Sequence, residues 1–302
     1  MKKQQAVGGE QRAVENKSST RPVTRSLLPP AHRPLPASDS PLPAPLIIGH
    51  RGAAAVAPEN TLVSFERALL DGADGIEFDV RLARDLVPVV IHDATLRRTA
   101  LVRGKVESFS SAELSELDAG TWFNLRYPGQ ARPEYARAGI PTLAAVFDYL
   151  RESNALLYVE MKCGPKDRVA LAAEVAKLIR AHALNASVVV ESFDLAAIAE
   201  IKRVDAGLRT AALFDRKLSR PAPSIRKMIE QARECGAGEL ALHYSLATRR
   251  TVEAAAESGF ETVVWTVDNP AWVARAIRRN VRALITNDPS RLVREKMIAA
   301  ER

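Results

Sequence analysis

Cysteine is scarce, with Cys163 and Cys235 the two in a chain of 302 residues. A disulfide framework is thereby excluded as the source of stability, and a reducing compartment fits. No partner base is visible for Cys163, so it reads as a bystander rather than a nucleophile. Long apolar runs are missing too: none approaches the roughly 20 residues a helix needs to cross a bilayer. Lys2 and Lys3 have no apolar stretch behind them, so no secretory signal is expected. The expectation is a cytoplasmic protein without stable membrane insertion. Acidic residues are outnumbered, giving a formal charge of +7. That excess is uneven, because residues 1–45 carry seven Lys/Arg against three Asp/Glu and leave +3 for the rest. A mildly basic remainder suits a small anionic substrate and argues against a nucleic-acid track. Nothing in the sequence sets an oligomeric state.

Residues 1–45 also hold eight of the 18 prolines, few aromatics and no periodicity. Such a segment cannot bury enough apolar surface to offset chain entropy, so a disordered tail is expected there. The remaining residues, 46–302, come from a chain that is 47% hydrophobic, and a single barrel of about 250 residues would account for them.

From Leu46 onward strand-like and helix-like runs alternate. LIIG leads into a helical stripe of Leu62, Phe65, Ala68 and Leu69. GIEFDV, LLYVEMK (156–162), VVVES (188–192), RTAALF (209–214), ELALH (239–243), TVVWTVD (262–268) and RALITND (282–288) complete eight strands, and each of the last six precedes a helical pattern. Continuous apolar strands separated by helices predict a closed (β/α)8 TIM barrel. An open doubly wound sheet is the alternative, but no glycine-rich phosphate turn follows the first strand. One irregular stretch, about 94–140, reads as a small insertion after the second strand and its hairpin. It carries a capping box at Ser110 and Glu113.

In a barrel the chemistry sits where strands end, and polar residues collect there. A strand has a side-chain period of two, so Glu77 and Asp79 in GIEFDV share a face. Two carboxylates there need a cation between them, and a hard divalent metal is the natural one. If VVI after RLARDLV returns as a hairpin arm turning at Arg84 and Asp85, His92 lies opposite Glu77 within about a residue. His50 closes LIIG, with Arg51 beside it. Histidines, a carboxylate pair and a guanidinium suit phosphate-ester chemistry.

HRG at 50–52, PENT at 58–61, E-x-D at 77–79, HD at 92–93 and E-x-K at 160–162 resemble, in order, the signatures of the glycerophosphodiester phosphodiesterases. The phrase ELDAGTWF in the insertion is similar as well. The resemblance covers Leu46 to the C-terminus. It implies His50 and His92 as the acid/base pair and Glu77, Asp79 and Glu160 as ligands of one Mg²⁺ or Ca²⁺. Arg51 and Lys162 would hold phosphate. Trp265, outside that carry-over, ends its strand, a place where it either joins the core or faces the glycerol moiety. The reaction implied is hydrolysis of a small glycerophosphodiester to glycerol 3-phosphate and an alcohol, the glycerol 2-hydroxyl attacking. Departures stand at Asp268, where the family usually has asparagine; at ITNDP, in place of a threonine-aspartate form; and at Leu86, where the hairpin turn usually has glycine. Two other readings remain: action on lysophospholipids, with Trp122, Phe123 and Tyr127 gripping a chain, and a silent barrel that binds phosphorylated ligands.

Overall fold

The computed structural model describes residues 44–216 and 223–301, so the tail expected at the N-terminus lies almost wholly outside the described residues. In chain order the strands are β1 (Leu46–His50), β2 (Gly75–Leu82), β3 (Pro88–Val90), β4 (Leu156–Met161), β5 (Val188–Ser192), β6 (Arg209–Phe214), β7 (Glu239–His243), β8 (Glu261–Trp265) and β9 (Ala283–Thr286). All but β3 run parallel, and β9 and β2 both pair with β1, which closes an eight-stranded ring. The fold is the expected (β/α)8 barrel.

Strand alternation divides the side chains between two cores. Leu46, Ile48, Leu156, Tyr158, Val189, Leu213, Val263 and Ile285 point inward and pack with one another inside the barrel. Residues of the opposite parity, among them Ile47, Ile76, Phe78 and Val159, are fully buried outside it against the helices. This two-sided burial is why the strands read as unbroken apolar runs.

The helices are α1 (Leu62–Leu70), α2 (Ser111–Ser115) and α3 (Thr121–Arg126) in the insertion, α4 (Leu143–Leu150), α5 (Arg168–Ala181), α6 (Leu195–Val204), α7 (Ile225–Glu234), α8 (Arg249–Glu257), α9 (Ala271–Arg279) and α10 (Pro289–Ala300). Several begin at side chains that accept a backbone N–H of the first turn: Thr61, Asp194, Ser224, Thr248 and Asp288. Helix α4 was not among the expected elements. Thr142 caps it, and Leu143, Val146, Phe147 and Leu150 bury its apolar stripe.

The β2–β3 hairpin pairs Val80 with Val90 and Leu82 with Pro88. Its turn is centred on Asp85, and continuing that register sets His92 across from Phe78, one residue from the expected Glu77. The insertion folds onto this hairpin. Ser110 and Glu113 make the reciprocal capping box, and Glu113 also receives Arg84 at 2.8 Å. Phe123 is fully buried, in a cluster with Ala57 and Tyr135. That corrects the idea of a chain-gripping role for Phe123, which has no exposed face to grip a chain; Trp122 and Tyr127 lie outside the lining of the pocket described below. Among the described residues no helix is long and apolar enough to cross a membrane.

Candidate active site

The inward-facing positions turn from apolar to polar at the C-terminal ends of the strands. Parallel registry sets His50 of β1 beside Glu77 of β2, Asp79 beside Glu160 of β4, Glu160 beside Glu191 of β5, and His243 of β7 beside Trp265 of β8. Side chains far apart in sequence thus meet in one ring. They surround a pocket of about 260 Å³ whose lining includes His50, Arg51, Glu77, His92, Glu160, Lys162 and Trp265. Of the eight residues singled out from the sequence, Asp79 alone is not in the lining; it lies fully buried.

Each of Glu77, Asp79 and Glu160 offers a carboxylate oxygen within 4.8 Å of the others, and all three are buried. Their electrostatics show how crowded this charge is. Burial, then the charges of Asp79 and Glu160, hold Glu77 well above the ordinary glutamate range. Burial and the neighbouring Asp79 push Glu160 up to about 8. Burial would raise Asp79 too, but Arg51 and Lys162 outweigh it and keep that carboxyl well below its usual range. Arg51 Nε lies 3.1 Å from Asp79 Oδ2, while Lys162 Nζ lies 3.2 Å from Asp79 Oδ1 and 2.7 Å from Glu160 Oε1. Two cations face three buried acids, so an added divalent ion fits both the charge and the oxygen-only donor set.

The two histidines have different partners. His50 Nδ1 meets the side-chain oxygen of Asn287 at 2.7 Å, and its Nε2 stands 3.8 Å from Glu77 Oε2. Burial, reinforced by Arg51, lowers His50 to about 4. His92 Nδ1 meets the carboxylate of Asp93 at 2.6 Å. Burial would raise Asp93, but Arg98 and His92 pull it down to about 2.

The turn after β1 depends on HRG. Gly52 has φ +86 and backs onto Ser64, where a Cβ would collide. The same turn lets Arg51 donate its backbone N–H to Glu77 Oε2 at 3.0 Å. In PENT, Thr61 caps α1, while Asn60 serves the acids instead: its Nδ2 donates to Asp79 Oδ2 at 2.9 Å.

Several contributors were not singled out from the sequence. Arg98, inside the insertion, bridges Glu59 through both guanidinium ends at 2.6 and 2.8 Å and reaches Asp93 at 2.7 Å. Arg81 donates to the carbonyls of His92 at 2.8 Å and Lys162 at 3.2 Å, fixing two site backbones. It sits two residues past Asp79 on the same strand, so the period of two could have found it. Phe193 also lines the pocket, and so does Glu191, which the strand-end position in VVVES already points to. Burial and then Glu77 hold the Glu191 carboxyl well above its normal range. Trp265 meets Phe193 edge to face at 5.4 Å, forming an aromatic wall. Cys163 stays a bystander, its thiol pushed up to about 11 by burial.

A model of the glycerophosphoryl diester phosphodiesterase family matches residues 50–291, a span that takes in every motif of this ring. The chain belongs to the glycerophosphodiester phosphodiesterase family. Its sequence is 32% identical over 248 residues to a glycerophosphodiester phosphodiesterase of Caldanaerobacter subterraneus subsp. tengcongensis, covering 82% of this chain and 96% of that one. A glycerophosphodiester phosphodiesterase structure from Agrobacterium tumefaciens is similar at 29% identity and a TM-score of 0.68, covering 83% and 99% of the two chains. A phosphodiesterase of Oleispira antarctica, solved with its product sn-glycerol-3-phosphate, shares the fold at a TM-score of 0.74 and 24% identity, over 83% and 96%. Glycerophosphodiester phosphodiesterases are phosphoric diester hydrolases, and the pocket lies at the barrel end where that architecture carries its chemistry.

Proposed function

We propose that this protein hydrolyses glycerophosphodiesters to glycerol 3-phosphate and an alcohol. One observation carries the reading: three buried carboxylates from two strands lie within 4.8 Å of one another, and two of them, Glu77 and Glu160, line a single pocket with two histidines, an arginine and a lysine. Glu77, Asp79 and Glu160 would hold one Mg²⁺ or Ca²⁺. When bound, that ion neutralises charge on the phosphoryl oxygens.

The chain's own groups do the rest. Arg51 and Lys162 offer N–H donors to the phosphoryl group. Trp265 and Phe193 give the glycerol carbons an apolar wall. His50 takes the proton of the attacking oxygen, the glycerol 2-hydroxyl, because burial, reinforced by Arg51, favours its neutral, proton-accepting form. His92 gives its proton to the departing alkoxide, since Asp93 is a carboxylate beside its Nδ1. The new P–O bond forms as the alcohol's P–O bond breaks, and water then opens the cyclic phosphate with the two proton transfers reversed. The net reaction adds one water. A small anionic diester is the partner this site recognises, with no nucleic acid involved.

Glycerophosphocholine incubated with purified protein should yield glycerol 3-phosphate and choline, and EDTA should stop the release. His50→Ala and His92→Ala should each lower kcat by about 10²–10⁴-fold. Release of phosphocholine, or full activity in either histidine variant, would overturn the assignment.

A further inference from the structure

We infer that Asp268 and Asn287 act together as positioning residues, holding His50 with its hydrogen on Nδ1 and the lone pair of Nε2 turned toward the pocket. The inference rests on the reading of His50 as the proton acceptor. Asp268 Oδ1 accepts from the Thr286 hydroxyl at 3.1 Å and from the backbone N–H of Asn287 at 2.9 Å, and its Oδ2 accepts from Asn287 Nδ2 at 2.8 Å. The backbone of Asn287 is held as well, its carbonyl accepting from Ala55 N–H at 2.9 Å.

A carboxylate can only accept, so the amide nitrogen of Asn287 must be the end that faces Asp268. The amide oxygen is then the end 2.7 Å from His50 Nδ1. That oxygen also only accepts, which places the imidazole hydrogen on Nδ1. In a neutral ring the other nitrogen keeps its lone pair. Nε2 is the nitrogen on the side of Glu77 and the pocket. The orientation of one asparagine therefore decides which ring nitrogen can take a proton from substrate.

The pair makes an unusual prediction for Asp268→Asn. The backbone N–H of Asn287 cannot reverse, so the new side chain must keep its oxygen at the Oδ1 position and turn its NH₂ toward Asn287. Asn287 must then turn over and present its own NH₂ to His50 Nδ1. The hydrogen moves to Nε2, and the lone pair facing the pocket is lost. The double variant D268N/N287D reverses this: the new asparagine donates to the new aspartate, which again accepts from Nδ1–H.

The full chain, labelled with ¹⁵N-histidine and free of metal, reports the protonated ring nitrogen by long-range ¹H–¹⁵N spectra, with the His50 signals assigned from His50→Gln. The wild type and D268N/N287D should show Nδ1–H, and Asp268→Asn should show Nε2–H. In parallel, kcat on glycerophosphocholine should fall by about 10²-fold in Asp268→Asn with little change in KM, and most of the loss should return in the double variant. Nδ1–H persisting in Asp268→Asn, or a double variant no better than the single one, would overturn the inference. Should the tautomers follow this pattern in a protein that cleaves no glycerophosphodiester, the proposed reaction fails and the positioning pair stands.

Discussion

Asn60 grips Asp79 from two sides: its Nδ2 donates to Asp79 Oδ2 at 2.9 Å while its Oδ1 accepts the Asp79 backbone N–H at 3.2 Å. The residue reaches both atoms from a left-handed backbone, φ 58, a conformation that asparagine tolerates better than most residues. Removing the amide takes one partner from a buried N–H and leaves the carboxylate held by Arg51 and Lys162 alone. Asn60→Gly keeps the backbone and deletes the side chain. Cation affinity by calorimetry should fall about 10–100-fold, and urea unfolding should show a loss of about 1–3 kcal/mol. Unaltered affinity would remove Asn60 from the site.

The raised carboxylates tie cation binding to pH. In the metal-free protein Glu160 titrates at about 8 and Glu77 well above 4.5, so a cation must displace protons at neutral pH. Apparent affinity should therefore rise with pH, about tenfold per unit for each proton displaced. Stability follows the opposite course. Because both groups have folded-state values above their unfolded ones, the folded state holds more protons in this window. Their stabilising contribution is complete below about 4.5 and is lost as pH rises through about 8. Thermal melts in EDTA should weaken from pH 7 to pH 9, above the range in which the lowered His50 gives the opposite trend, and the gain in Tm from added Mg²⁺ or Ca²⁺ should widen. Glu160→Gln should flatten the slope. A gain that narrows with pH would contradict this account.

Arg98 joins the insertion to the barrel rim through Glu59 and Asp93. Asp93 in turn orients His92, so the arginine acts at one remove. Arg98→Met keeps the alkyl stem and deletes the fork. The expected result is a loss of about tenfold or more in kcat with a much smaller change in KM. Steady-state kinetics equal to the parent's would leave the insertion without a part in catalysis.

Leu86 has φ 60 in the hairpin turn and is 57% exposed, at the position where the family usually has glycine. A left-handed leucine costs about 1–2 kcal/mol, against about 0.5–1 kcal/mol of extra chain entropy for glycine. Leu86→Gly should raise the stability measured by urea unfolding by up to about 1 kcal/mol with activity unchanged. A clear loss of stability would show that the leucine side chain has an unseen role.

The barrel and its polar rim were readable because both follow from strand alternation. Ile48, Tyr158 and Ile285 fill the interior on the same parity that delivers Glu77, Glu160 and Asn287 to the rim. Contacts set by turns and by the insertion were not. Nothing in the spacing of Arg98 and Glu59 announces a bridge over 39 positions, and the burial of Phe123 depends on Tyr135 folding back on it. The departures at Asp268 and Asn287 looked unrelated in sequence because 19 positions separate them. In the fold they touch, and what reads as two irregularities is one hydrogen-bonded unit.

The most direct test is a cation titration of protein stripped with EDTA, reading binding and glycerol 3-phosphate release in the same sample. One equivalent of Mg²⁺ or Ca²⁺ per chain should restore release, and Glu77→Ala, Asp79→Ala and Glu160→Ala should each weaken binding and activity together. Full release from the stripped protein, or cation binding unchanged in those three variants, would contradict the account.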